Sequence, residues 1–114
     1  MSTHHTVDFF EIPVLEMAGA KAFYAAAFGW TFQDWGEDYA DIRGAGLAGG
    51  LRLVSAPPVT GGPLVILYSS DLESSERAVS AAGATIVAQH EFPGGKRFHF
   101  VDPSGCELAV WTRT

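Results

Sequence analysis

Residues 10–30 read FEIPVLEMAGAKAFYAAAFGW, and residues 64–83 read LVILYSSDLESSERAVSAAG. Up to Val14 the first stretch alternates, with Phe10, Ile12 and Val14 on one face and Phe9, Glu11 and Pro13 on the other. That is the period of a strand. From Glu16 onward the spacing changes, because Met17, Ala20, Phe23, Tyr24, Ala27 and Phe28 recur at helical intervals and Gly29 follows as a stop. The second stretch repeats the plan. An apolar strand over Leu64–Ser69 leads to Asp71 at an N-cap position, a helix to Ala82 and a stop at Gly83. The two stopping glycines stand 54 residues apart and the two helix-opening acids, Glu16 and Asp71, 55 apart. An offset held at both ends of the same element predicts an internal structural repeat.

Working outward, each helix is followed by three strand-like segments. The first half offers Trp30–Trp35, Tyr39–Arg43 and Leu47–Val54, and the second offers Ala84–Glu91, Lys96–Val101 and Cys106–Thr112. Phe92-Pro93-Gly94-Gly95 and Asp102-Pro103-Ser104-Gly105 supply turns. Ser55–Gly62, reading SAPPVTGG, has the composition of a linker. The predicted fold is therefore α+β: two βαβββ repeats, about 7–54 and 63–113, joined at 55–62 into one domain spanning 1–114. One half is too small to cover the apolar face of its own sheet, so two halves building one curved, partly open mixed sheet is the economical arrangement. An ordinary α+β sandwich without a repeat is the competing arrangement.

Composition narrows the function. Seven basic and thirteen acidic side chains give a net charge of −6, which offers no broad field to nucleic acid or an anionic membrane. The longest uncharged run, Leu53–Ser70, contains three prolines and two glycines and does not read as a membrane helix. The start of the chain shows no apolar signal-peptide segment, and Cys106 is the only cysteine, which excludes intrachain disulfides and a thiolate zinc cluster. These features point to a cytoplasmic domain that handles a small molecule.

Four motifs together resemble the vicinal oxygen chelate superfamily, which includes glyoxalase I, bleomycin-resistance proteins and extradiol dioxygenases. They are Phe10-Glu11-Ile12-Pro13-Val14 followed by Glu16, Ala22-Phe23-Tyr24 with Phe28-Gly29-Trp30, Ser70-Asp71-Leu72 with Ala81-Ala82-Gly83, and Asp102-Pro103-Ser104-Gly105-Cys106-Glu107-Leu108. The last is similar to the turn written DPxGN that enters the family's final strand. The resemblance implies the two-repeat fold, a homodimer and a cleft facing the strands. In the metal enzymes of the family, inward-facing His, Gln or Glu side chains hold a divalent cation that polarises the substrate. Counted from the motifs, those positions fall on Phe9, Leu64 and Ala109, and Leu47–Val54 contains no His, Glu, Asp or Gln to supply the remaining one. The resemblance therefore implies neither a metal nor another cofactor for this chain.

Candidate site residues follow from alternation. Glu11 shares a face with Phe9 and Pro13, and the resemblance turns that face into the cleft. A carboxylate there suits general-base chemistry or recognition of a ligand donor, and a salt bridge to Arg43 or Arg97 is the structural alternative. His99 lies with Arg97 on one side of Arg97-Phe98-His99-Phe100. If that side lines the cleft, the pair suits an acidic substrate or a proton shuttle; if it faces solvent, it is the polar side of an amphipathic strand. Tyr68 shares a face with Leu64 and is a third candidate for orienting a ligand, or else a core tyrosine. Phe9, Trp30, Phe32 and Trp111 are the aromatics expected to line an apolar cleft, with Tyr68 and Arg97 beside them. Cys106, beside acidic Glu107, reads as a structural thiol. Three functions remain open: a metal-independent cleft that binds a small, partly apolar molecule, with or without catalysis; a sequestering protein of the drug-resistance type; or a small interaction module whose cavity is filled by its own side chains, which a closed core without a pocket would favour. Acid or base groups at the cleft favour the first, and an aromatic cleft without them favours the second.

Overall fold

The computed structural model describes residues 2–114. The first half folds as β1 (Phe9–Val14), α1 (Met17–Phe28), β2 (Thr31–Asp34), β3 (Tyr39–Arg43) and β4 (Ala48–Leu53). The second folds as β5 (Ile66–Tyr68), α2 (Leu72–Ala81), β6 (Thr85–Phe92), β7 (Gly95–Val101) and β8 (Glu107–Arg113). Each half forms its own four-stranded mixed sheet, in the orders β1-β4-β3-β2 and β5-β8-β7-β6. In both, the first strand runs parallel to the last and the remaining pairs are antiparallel. The repeat read from the helix stops is thus a repeat of topology.

Local chemistry explains the helix ends. The Glu16 carboxylate accepts from the amides of Ala18 and Gly19 at 2.7 and 3.1 Å. A Cβ on Gly19 would press on that carboxylate, so glycine three residues after the cap makes room for it. Asp71 caps α2 through the Ser74 amide. At the far end of α1, Gly29 turns left-handed with φ of 74° and donates to the Ala25 carbonyl. β5 is shorter than Leu64–Ser69 because Pro63 and the linker lead into it as an edge, although the Val65 carbonyl and the Ser69 amide still bond to β8.

The halves meet through side chains, without a shared ladder. Ile12 and Val14 of β1, Phe23 and Tyr24 of α1, Val79 of α2, and Phe98, Phe100, Leu108 and Val110 of β7 and β8 form one buried cluster. The helix-bearing faces of both sheets therefore share a core. Tyr24 is its hinge pin. Its ring stacks on Trp30 with centroids 5.0 Å apart, and its hydroxyl donates to Asp102 Oδ2 at 2.7 Å, across 78 residues of sequence. Asp102 also accepts from the amides of Ser104 and Cys106, and the Leu15 amide donates to Ser104 Oγ. Burial pushes the Asp102 carboxyl up, against the downward pull of Tyr24 and the turn amides. Burial, reinforced by Asp102, raises the Tyr24 hydroxyl well above its ordinary value. Burial also lifts the Cys106 thiol to about 11, with Asp102 and Glu107 adding to it, as expected of a structural thiol.

Since the inner faces are spoken for, the other face of each sheet looks outward. On the first sheet it carries Phe9, Glu11, Tyr39, Asp41 and Arg52, and on the second Tyr68, Arg97, His99, Glu107, Trp111 and Arg113.

Candidate functional site

Where the two halves adjoin, a groove of about 670 Å³ opens. Val7, Phe10, Phe28, Trp30 and the Gly44–Leu47 turn line one wall, and Val65–Tyr68 of the second half line the other. No charged side chain is among these residues. Glycines and an alanine at the turn keep it low, while Phe10, Phe28 and Trp30 supply aromatic surface. This is an apolar container of ligand size.

A second cavity, of about 550 Å³, lies under the connection between the repeats. Glu11, Pro13, Leu64 and Glu107 border it together with residues 58–63. Glu11 is not isolated there. It accepts from the Tyr39 hydroxyl at 2.9 Å and pairs with Arg52 Nε at 3.3 Å. Gly50, opposite Glu11 and lacking a Cβ, lets Tyr39 lie across β4, where a methyl group would overlap the hydroxyl. Partial burial and the bond to Glu11 push the Tyr39 hydroxyl up to about 12. Nearby, Trp35 Nε1 donates to Asp41 Oδ2 at 2.9 Å.

On the second sheet His99 sits against Glu107, with Nδ1 to Oε2 2.7 Å. It is only 8% exposed, and its Nε2 is buried without a partner. His90 packs edge-on to the same ring at 5.4 Å. One row along the face, Tyr68, Trp111, Arg97 and His90 stand directly opposite one another across the four strands. The Arg113 guanidinium lies 4.7 Å from the ring centroids of both Tyr68 and Trp111. Its hydrogen bond lowers the Tyr68 hydroxyl below the ordinary value.

No family model matches the chain, and no curated protein matches its sequence. Solved structures do match. The fosfomycin resistance protein FosX of Listeria monocytogenes, as its E126Q mutant with Mn(II) and 1S,2S-dihydroxypropylphosphonic acid, superposes with a TM-score of 0.84 at 12% identity, covering 98% of this chain and 93% of that one. A glyoxalase/bleomycin resistance protein/dioxygenase family enzyme of Burkholderia phytofirmans PsJN gives 0.80 at 14% identity, covering 94% and 98%. A lactoylglutathione lyase of Agrobacterium tumefaciens gives 0.75 at 16%, covering 96% and 95%. The chain has the vicinal oxygen chelate fold.

That fold raises the question of a metal, and the FosX structure holds Mn(II). The residues of this chain do not fit one. Hydrocarbon side chains stand at Phe9, Leu64 and Ala109, and the carboxylates nearest them are taken, Glu11 by Tyr39 and Arg52 and Glu107 by His99. Among the described residues, no group of three or more His, Cys, Asp or Glu side chains is placed to hold a metal ion. No helix among them is long and apolar enough to cross a membrane.

Within this vicinal oxygen chelate fold the sequence-derived candidates separate. Phe9 and Glu11 lie on the open face of the first sheet, but the partners of Glu11 are Tyr39 and Arg52 where the sequence offered Arg43 or Arg97. Tyr68, Arg97, His99 and Trp111 gather on the open face of the second sheet. Phe32 is a correction. It packs on the core side of its sheet, because it shares a strand face with Trp30, and Trp30 is pulled inward to stack on Tyr24. Trp30 itself is 4% exposed and is among the residues lining the apolar groove. The sequence reading passed over Tyr39, Arg52, Glu107 and Arg113. Alternation alone would have put Glu107 and Arg113 on the face of Trp111, and Tyr39 on the face of Asp41. The register that joins Arg52 to Glu11 has no local signal.

Proposed function

We propose that this protein binds a small, largely apolar molecule in the groove between its repeats, without a metal, and holds it unchanged. The observation that supports this is the lining. Every side chain of the groove is apolar or aromatic except the Tyr68 phenol, so burial supplies affinity while no acid or base is at hand for chemistry. This favours the sequestering reading over the catalytic one. The test uses N-phenyl-1-naphthylamine, a neutral apolar dye that brightens on burial. Saturable binding is expected, weakened about tenfold or more by Leu47→Asp, which places a charge at the exposed rim. Unchanged dye binding in that variant would remove the groove from the account.

A second copy of the chain fits the same reading. Phe9, Leu15, Trp35 and Leu53 of the first half are exposed apart from the groove. Apolar surface of this extent is ordinarily covered, and a two-fold homodimer is the simplest cover. Light scattering at micromolar concentration should report twice the mass of 12.2 kDa, and a monomeric mass would reject the dimer.

A further inference from the structure

The groove between the repeats has no polar side chain but the Tyr68 phenol, yet one of its walls is a strand edge. Four consecutive residues, Val65, Ile66, Leu67 and Tyr68, line it. The faces of a strand take alternate residues, so a consecutive run borders a cavity along the edge, where the backbone is bare. β5 is the outer strand of its sheet, with β8 on one side only. Pairing with β8 fixes which peptide groups remain. The Val65 carbonyl accepts from the Ala109 amide and the Ser69 amide donates to the Trp111 carbonyl, so Val65, Leu67 and Ser69 turn toward β8. Ile66 and Tyr68, between them, turn their N–H and C=O groups the other way. Among the described residues those groups have no backbone partner.

The opposite wall is not equivalent. β1 is also an outer strand, but the Val14 carbonyl accepts from the Val54 amide, so Val14 faces β4 and Pro13 faces outward without an N–H to offer. Sheet edges are ordinarily blunted by proline or charge, and Ile66-Leu67-Tyr68 carries neither. The free groups of Ile66 and Tyr68 stand two residues apart, about 6.6 Å along the strand, the repeat with which an extended backbone meets a ladder. A molecule filling the groove therefore meets apolar walls and a row of backbone donors and acceptors. It meets no charged side chain, so a charged end group on it would be buried unpaired.

We infer that the ligand of the groove is a short apolar peptide without charged ends, held in extended form as an added strand on the free edge of β5. Its backbone pairs with Ile66 and Tyr68, and its side chains meet the apolar walls. This assignment rests on the groove being a container for an apolar molecule, and adds the chemistry that the molecule must present.

The probe is N-acetyl-Val-Leu-Val N-methylamide, titrated into the full chain carrying bound N-phenyl-1-naphthylamine. Saturable displacement of the dye is expected. Leu47→Asp should weaken peptide and dye alike, because both occupy the groove. The peptide N-methylated at its three residues, which has lost those donors, should bind at least about tenfold more weakly. Val-Leu-Val with free ends, which buries two charges, should weaken by at least about as much. Amide hydrogen exchange reads the edge directly. Saturating peptide should slow exchange at Ile66 and Tyr68 by at least about tenfold and leave Leu67, already turned to β8, within about twofold, whereas the dye should protect neither edge amide. Ile66→Pro removes one outward N–H at an edge position that tolerates proline, and should weaken the peptide about fivefold more than the dye. If that variant does not fold, the exchange pattern of the parent still decides. Dye binding with no displacement at about 5 mM peptide would overturn the strand-edge assignment and leave the container standing, while loss of both would reject the two together. Equal affinity for the N-methylated peptide, or equal protection by the dye, would also overturn it.

Discussion

Replacing Tyr24 with Phe removes one oxygen from the core and leaves the ring that stacks on Trp30 and packs edge-on against Phe23. What is lost is the 2.7 Å hydrogen bond to Asp102, the polar link between the first helix and the turn before β8. A bond to a charged acceptor contributes about 1.5–3 kcal/mol, and the upper half of that range applies here because Asp102 is buried and keeps an acceptor site without a partner. In a chain of 114 residues this corresponds to a melting temperature lower by about 6–12 °C.

The loss should depend on pH, and linkage fixes its sign. Asp102 is held above its ordinary value of 3.8, so between that value and its folded-state pKa the native chain binds more protons than the unfolded one. Stability then rises as pH falls through the folded-state pKa. Tyr24 pulls the Asp102 pKa down, so Tyr24→Phe raises it further and steepens that gain. The variant should lag the parent most at about pH 7 and recover part of the difference at about pH 4.5. Urea unfolding at the two pH values measures both terms. A loss under about 0.5 kcal/mol at neutral pH, or one that grows on acidification, would show that the repeats are joined by ring packing and that the Tyr24–Asp102 bond is incidental.

Glu11→Gln should lower stability by no more than about 1 kcal/mol, since its ion pair with Arg52 is half exposed. The same variant should bring the Tyr39 hydroxyl down from about 12, read by spectrophotometric titration, and so blunt the loss of stability that the parent shows as pH rises between 10 and 12. Gly50→Ala should cost about 1–3 kcal/mol by urea unfolding and displace Tyr39, because the added methyl overlaps its hydroxyl; a neutral result would mean that Tyr39 moves freely. Four Gly-Ser residues inserted after Val59, which is 94% exposed, should cost under about 0.6 kcal/mol, and collapse of the folded state would reject the linker assignment. Elemental analysis should find no stoichiometric zinc, nickel, manganese or iron, and one metal per chain would contradict the ligand positions read at Phe9, Leu64 and Ala109.

Periodicity carried the sequence reading as far as elements and faces. Helix caps and stops are local, so Glu16, Gly29, Asp71 and Gly83 were legible, and so was the side of β1 on which Glu11 stands. Partners across strands were not. Arg52 reaches Glu11 only because β1 runs parallel to β4 with Pro13 opposite Arg52, a register set by the crossover through α1. The Gly49-Gly50 pair has no side chain whose alternation could be read, yet each glycine admits a ring, Phe10 at the first and Tyr39 at the second. For Phe32 the alternation was right, but period alone does not tell which face turns inward. His99 fits neither of its two readings cleanly, lying on the open face while Glu107, His90 and its strand neighbours bury it.

The pairing of charges also bears on whether the protein catalyses anything. A general base must be free to accept a proton, and the carboxylates on the two open faces are occupied: Glu11 by Tyr39 and Arg52, Asp41 by Trp35, and Glu107 by His99. Drawing any of them into chemistry would require breaking an existing contact first. His99 Nε2 is the one buried side-chain polar atom without a partner among the described residues. Hydrocarbon side chains stand at Phe9, Leu64 and Ala109, the positions that the family resemblance marks for cation ligands. None of those three side chains carries a lone pair or a charge with which to ligate a cation.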